Sequence, residues 1–217
     1  MLSLTCHCYA LDLDVRNRNS DALDFALVLE HFDMEIDAIG ATVKANFDRI
    51  GIQSFSVPVS GPSFGLLLGN AYSDFSNNSV YQSQGLSGYY IGVAVQGYLL
   101  NSQILSFLAS GQYIYQGMRG SEDGNDYSMT WSTFDAQLIA ETRMVYPVWL
   151  FGGVNYGNID GIYRERGTVH LTDNIKNSHK VGYLAGIRYS LNQRESVTMQ
   201  YQHGYRNSVK LLFQKYF

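Results

Sequence analysis

Val181-Gly182-Tyr183-Leu184-Ala185-Gly186-Ile187-Arg188-Tyr189-Ser190-Leu191 carries an apolar or aromatic residue at every odd position. Of the residues between, Gly182, Gly186, Arg188 and Ser190 are small or polar. After a polar turn over 192–195 the pattern restarts. Val197, Met199, Tyr201, His203 and Tyr205 form one side, and Ser196, Thr198, Gln200, Gln202 and Gly204 the other. It restarts again as Val209, Leu211, Phe213, Lys215 and Phe217 against Lys210, Leu212, Gln214 and Tyr216. Successive side chains of a strand point to opposite faces, so a period of two means strands.

The two faces differ in an informative way. One is strongly aromatic; the other carries Gln, Arg, Thr, Ser and Gly rather than Lys and Glu. An apolar exterior around a small and polar interior is the pattern of a barrel in lipid. The hairpin ending in Phe217 resembles the C-terminal strand of bacterial outer-membrane barrels and small barrels of the OmpA/OmpX kind. Lys215 departs from that family, which has an apolar or aromatic residue two before the end. The resemblance implies an all-β, antiparallel up-and-down barrel, monomeric, in the outer membrane of a Gram-negative bacterium. It implies outer-membrane lipid and lipopolysaccharide as surroundings. It also implies that the barrel-assembly machinery reads the C-terminal strand.

Composition agrees. The 217 residues suffice for one barrel domain, expected over 11–217. Charged residues make up 16%, against about 25% in an average soluble domain. The 17 Tyr suit rings held between lipid and water. Mean hydropathy is −0.13, as expected when only alternate residues touch lipid. The sequence contains no apolar run long enough for a spanning helix. A net charge of −4 without a basic stripe argues against nucleic acid. Cys6 and Cys8 are too close for an easy mutual disulfide and fit no zinc spacing. Residues 1–10 read as the remnant of a signal peptide cleaved after Ala10, with Cys8 and Ala10 as its small residues.

Further alternation appears at Leu11 to Val15, Leu23 to Leu29, Ile39 to Phe47, Phe64 to Tyr72, Tyr89 to Leu99, Leu105 to Tyr115, Phe134 to Ala140 and Leu150 to Tyr156. A break falls near Phe32-Asp33-Met34. Turns near 58–62, 100–103, 144–147 and 192–195 are short. Connections over 76–84, 119–126 and 167–180 read as long polar loops. Short turns at one end and long loops at the other are expected of a membrane barrel. Eight strands are counted from Ser63 onward, and the first 62 residues add two to four. Twelve strands are favoured, with ten or eight possible.

The inward set includes Asp135, Glu141, Arg188 and Lys210, which form a candidate lumen-facing polar network. No cofactor is implied, because hydrolase, metalloprotease and phosphate-loop motifs are absent from the sequence. His170 and His179 share a polar loop that fixes no metal geometry. His203 lies on the apolar face, as the catalytic His does in lipid A deacylases, but Tyr205 follows where that family has Ser. An interfacial anchor is the simpler role for His203. Three functions are left: a structural or surface-exposed barrel with polar outer loops, a narrow porin-like solute channel, and an outer-leaflet lipid-modifying enzyme. A soluble β-sandwich is the outsider.

Overall fold

The computed structural model describes residues 22–38, 41–58, 61–74, 85–102, 104–122, 124–167 and 170–217. The expected leader and the strand at Leu11 to Val15 lie outside them, as does the polar connection over 76–84. Eleven strands are described: β1 (Ala22–Ala38), β2 (Ala41–Val57), β3 (Ser63–Asp74), β4 (Gly85–Asn101), β5 (Leu105–Glu122), β6 (Asn125–Val145), β7 (Val148–Arg166), β8 (Leu171–Asn177), β9 (Val181–Ser190), β10 (Glu195–His203) and β11 (Asn207–Tyr216).

With β8 set aside, successive strands pair in an antiparallel meander in which β7 is followed by β9, and β11 closes on β1 from Asp24↔Tyr216 to Asp33↔Asn207. Leu23 and Phe217 exchange backbone hydrogen bonds at the seam. Ten strands therefore close the ring, one of the three counts the alternation allowed. The favoured twelve is not reached among the described residues: the chain from Ala22 to Val57 makes two 17-residue strands rather than three shorter ones, and the expected strand at Leu11 to Val15 lies outside them.

Register partners define the tilt. The row Ala140–Gly152–Ala185–Tyr201–Val209–His31–Asp48–Tyr72–Ser87–Arg119 returns to β6 at Ser128, twelve residues from its start. A stagger of twelve over ten strands corresponds to a tilt of about 40°. The 21-residue β6 then rises about 50 Å along the barrel axis. That is roughly twice the ~25 Å apolar band of a membrane barrel.

The surplus length has its own construction. Toward the rim opposite the termini, β9, β10 and β11 stop at Val181, His203 and Asn207, while β7 continues to Arg166. The short β8 bridges the wall there. It pairs with β7 from Asp160↔Lys176 to Glu165↔Leu171, and with β1 at Ile36↔Asn177 and Asp37↔Lys176. The 167–180 connection was expected to be a loop. Its polar sequence hides a strand that Asn177 ties to β7: its Oδ1 accepts from the Ile159 amide at 2.9 Å and its Nδ2 donates to the Gly157 carbonyl at 2.9 Å. The 119–126 loop is likewise a hairpin, with β5 and β6 meeting around Gly124 at φ +78°.

These corrections share one cause. Along β6, Phe134 and Leu138 are exposed while Asp135 and Glu141 face inward. Nearer the rim the same inward face carries Tyr127, Met129 and Trp131, all buried, and the outward face carries Ser128, Thr130 and Ser132. The strand does not change register with β5 at this point; only the chemistry of its two faces swaps. β1 swaps at Glu30, from outward Leu27 to inward Phe32 and Met34, so the expected break near Phe32 is a swap of face and not a chain break. β2 swaps at Arg49, from outward Ile52 and Ile50 to inward Phe47 and Ala45.

The barrel thus has two halves. The half nearer the termini is apolar outside and largely polar inside. The rim half encloses an apolar core of Phe32, Phe47, Met118, Trp131, Tyr163 and Ile175 with their neighbours. Phe47 stacks on Phe32 at 4.9 Å and meets Trp131 edge-on at 5.3 Å. Burying each such side chain contributes roughly 1.5–3 kcal/mol. A polar interior was expected along the whole tube, and it holds for the terminal half only.

Candidate functional site

The level at which the faces swap is marked by buried charge. Glu30 on β1 stands directly across from Arg49 on β2 and from Lys210 on β11. Arg49 Nη1 lies 3.4 Å from Glu30 Oε2, and its Nε donates to Gln116 Oε1 on β5 at 2.8 Å. Arg206 Nη2 lies 3.0 Å from Glu30 Oε1 and 3.8 Å from Asp135 Oδ2 on β6. The Tyr205 hydroxyl donates to Asp135, and Gln137 Nε2 donates to Asp135 Oδ1 at 3.1 Å. Gln116 and Asp135 are 0% exposed, and Glu30, Arg49 and Arg206 are nearly so.

Tyr205 and Arg206 reach this belt because the β10–β11 turn dips into the barrel. Gly204 takes φ +128°, a conformation that side-chain-bearing residues rarely adopt. Its turn carries the Tyr205 ring onto Gly157, where any Cβ would collide with it. Continuing the β10 alternation would put Tyr205 on the lipid face; the turn buries it instead. Belt and core are joined by Phe32, whose ring lies under both guanidinium groups, 4.6 Å from Arg49 and 5.2 Å from Arg206.

Below the belt lies a cavity of about 130 Å³, lined by Gln53, Gln96, Gln112, Gln137, Gln200 and Gln214 among others. Asp135, Glu141, Arg188 and Lys210 all contribute to its wall. Arg188 Nη1 and Glu141 Oε1 pair at 2.8 Å. Asp135 meets neither Arg188 nor Lys210; its partners are Arg206, Tyr205 and Gln137. Lys210 stands beside Glu30 in register. Glu30, Arg49, Gln116, Tyr205 and Arg206 were not singled out from sequence. Their signal was there in part: Glu30 and Arg49 are charges placed where each strand's apolar residues change sides.

His203 is exposed on the outer wall opposite Tyr183, with ring centroids 5.1 Å apart. His170 and His179 are exposed. Among the described residues no group of three His, Cys, Asp or Glu is placed to hold a metal ion. Glu30 and Asp135 pair with Arg49 and Arg206 across four parts of the wall. The arrangement therefore fills and fixes the lumen.

No protein-family model and no curated protein matches the sequence. Solved structures do match. The outer membrane protease OmpT of Escherichia coli overlays 93% of this chain and 98% of its own at 11% identity, with a TM-score of 0.53. The translocator domain of autotransporter NalP from Neisseria meningitidis covers 92% and 89% at 11% identity, TM-score 0.49. The outer membrane protein OprG from Pseudomonas aeruginosa covers 90% and 95% at 10% identity, TM-score 0.49. Identity this low speaks for fold alone. The closed antiparallel ring, its apolar outer belt and the overlay on the E. coli barrel make this chain an up-and-down β-barrel of the outer-membrane fold.

Proposed function

We propose that the protein is a monomeric barrel of the Gram-negative outer membrane with a structural, surface-presenting role. It is anchored by its terminal half and holds its rim half above the bilayer. The observation that carries this is the packed rim: Phe47, Trp131, Tyr163 and Tyr205 fill the interior at 2% exposure or less. A lumen filled in this way is a rigid support and not a conduit. The outward face of that half is polar, with His31, Asp33 and Glu35 on β1 and Ser128 and Thr130 on β6. Such a wall suits water and the sugar of lipopolysaccharide rather than hydrocarbon. Closure of β11 on β1 supports the C-terminal strand as the element that the assembly machinery engages.

The porin-like alternative requires a path through the rim core. Planar-bilayer recording of the refolded protein tests the choice. The proposed role predicts no stepwise conductance, whereas steady single-channel steps would favour the channel. The lipid-enzyme alternative centred on His203 gains nothing from its surroundings, since its described ring contact is with Tyr183.

A further inference from the structure

On the outer wall Tyr89, Tyr115, Phe134 and Tyr156 follow one another around β4 to β7 at nearly one level. Such rings sit at the boundary of hydrocarbon and water. From that level toward the rim, the outward residues of β5 to β8 form a ladder of cross-strand rows. The lowest is Tyr115–Ser132–Asp160–Lys176, and Gly117–Thr130–Ile162–Asn174 follows. Next comes Arg119–Ser128–Arg164–Thr172, and Ser121–Asp126–Arg166 stands above it.

Charge is balanced in the lowest and highest of these rows and not in the one between. Asp160 stands opposite Lys176, and Asp126 opposite Arg166. Arg119 and Arg164 instead flank Ser128. Both are exposed, and among the described residues neither has an ion-pair partner. A guanidinium is charged at every physiological pH, so the row carries two fixed positive charges. Two strand spacings put their Cα atoms about 10 Å apart, so one anionic group can be reached by both side chains. The hydroxyls of Ser128, Thr130 and Thr172 add neutral donors on the same face.

Height selects the ligand. Arg119 lies four residues rimward of Tyr115 on β5, which is about 10 Å along the barrel axis at this tilt. The rows climb with the stagger and set Arg164 about 6 Å higher still. The headgroup layer of a phospholipid bilayer is only about 5–8 Å thick on each side. An anion held between the two guanidinium groups therefore belongs to a molecule that carries charge beyond that layer. We infer that this row binds phosphate groups on the core sugars of lipopolysaccharide. Arg119 and Arg164 donate to phosphate oxygens in fork geometry, and Ser128 and Thr172 donate to oxygens of the phosphate or the sugar. The wall of β1 and β2 does not suit the same ligand, because it turns Asp33, Glu35 and Asp48 outward. The inference deepens the proposed surface-presenting role and rests on the rim half standing above an outer-membrane bilayer.

The folded full-length chain is placed in nanodiscs with equal amounts of two lipopolysaccharides in a background of phosphatidylglycerol. One has a phosphorylated core, and the other has the same core without phosphate. The discs are stripped stepwise with detergent, and the retained lipids are counted by native mass spectrometry. Retention of the phosphorylated core at least fivefold over the other is expected. Arg119→Gln combined with Arg164→Gln should bring the ratio near one. Lys44→Gln, at about the same height on β2 beside Asp33, should keep it. Heat-dependent gel mobility of each variant shows whether the barrel has formed. Equal retention of the two cores by the closed wild-type barrel overturns the site, as does an unchanged ratio in the closed double variant. Retention of phosphatidylglycerol in place of both, lost in the double variant, overturns the choice of ligand. Failure of the wild type to enter nanodiscs would instead overturn the membrane assignment.

Discussion

Glu30 and Arg49 face each other across β1 and β2 at the very residues where both strands exchange their apolar side. One residue toward the termini, Leu29 and Ile50 point outward; two residues toward the rim, inward Phe32 and Phe47 stack in the core. The ion pair thus sits between a half that is apolar outside and a half that is apolar inside, built from the same strands. Charges at that depth are tolerable only because each has partners from several strands.

Breaking the belt from one side should therefore be expensive. Arg49→Ala leaves Glu30 with Arg206 and frees the Gln116 carbonyl oxygen. Glu30 thus stays paired, and leaving the buried Gln116 oxygen without its donor typically costs about 1–3 kcal/mol. Urea unfolding of the variant in lipid vesicles, followed by tryptophan fluorescence, should show a loss of that size. A loss below about 1 kcal/mol would mean that water reaches the belt.

The same outward face of one strand should respond differently to the same charge. Leu138→Arg puts a cation on the lipid side of β6 and should destabilise by about 2–4 kcal/mol in vesicles. Thr130→Arg, eight residues toward the rim, should stay within about 0.5 kcal/mol. Equilibrium refolding into vesicles measures both.

The rim core should behave like that of a soluble domain. Trp131→Ala removes a side chain that is 2% exposed and should cost about 3–5 kcal/mol. Conductance should remain absent unless the rim collapses as a whole. Thermal unfolding of the variant, with bilayer recording of the same sample, checks both halves of the statement.

Gly157 offers a test of the inward turn. Its lack of a side chain is what lets the Tyr205 ring lie against β7. Gly157→Val should drive Tyr205 and Arg206 from their seats, costing roughly 1–3 kcal/mol as overpacking. Tyr205→Phe keeps the ring and removes only the hydroxyl that donates to Asp135. It should cost less and leave heat-dependent gel mobility intact.

The alternation made the strands and the closed ring legible, because the period of two persists through both halves. It recorded that two faces differ, but not which one meets lipid at a given height. Tyr127, Met129 and Trp131 are as regular as Phe134 and Leu138, yet they point the other way. β8 escaped notice because it buries only Ile175 fully and Leu171 in part. The four inward residues singled out, Asp135, Glu141, Arg188 and Lys210, do line one cavity. Their pairing was not legible, since the partners of Asp135 arrive through the positive φ of Gly204, which no alternation encodes.

The exchange of faces can be measured along a single strand. Cys6 and Cys8 are replaced by Ser, and a nitroxide label is placed singly at Ser128, Thr130, Ser132, Phe134, Leu138 or Ala140 on β6 in vesicles. Its collisions with dissolved oxygen and with a water-soluble nickel complex are then compared. Labels at 128, 130 and 132 should collide mainly with nickel, the label at 134 should fall between, and those at 138 and 140 should collide mainly with oxygen. One uniform response from 128 to 140, whether to oxygen or to nickel, would contradict a barrel that is lipid-facing in one half and water-facing in the other.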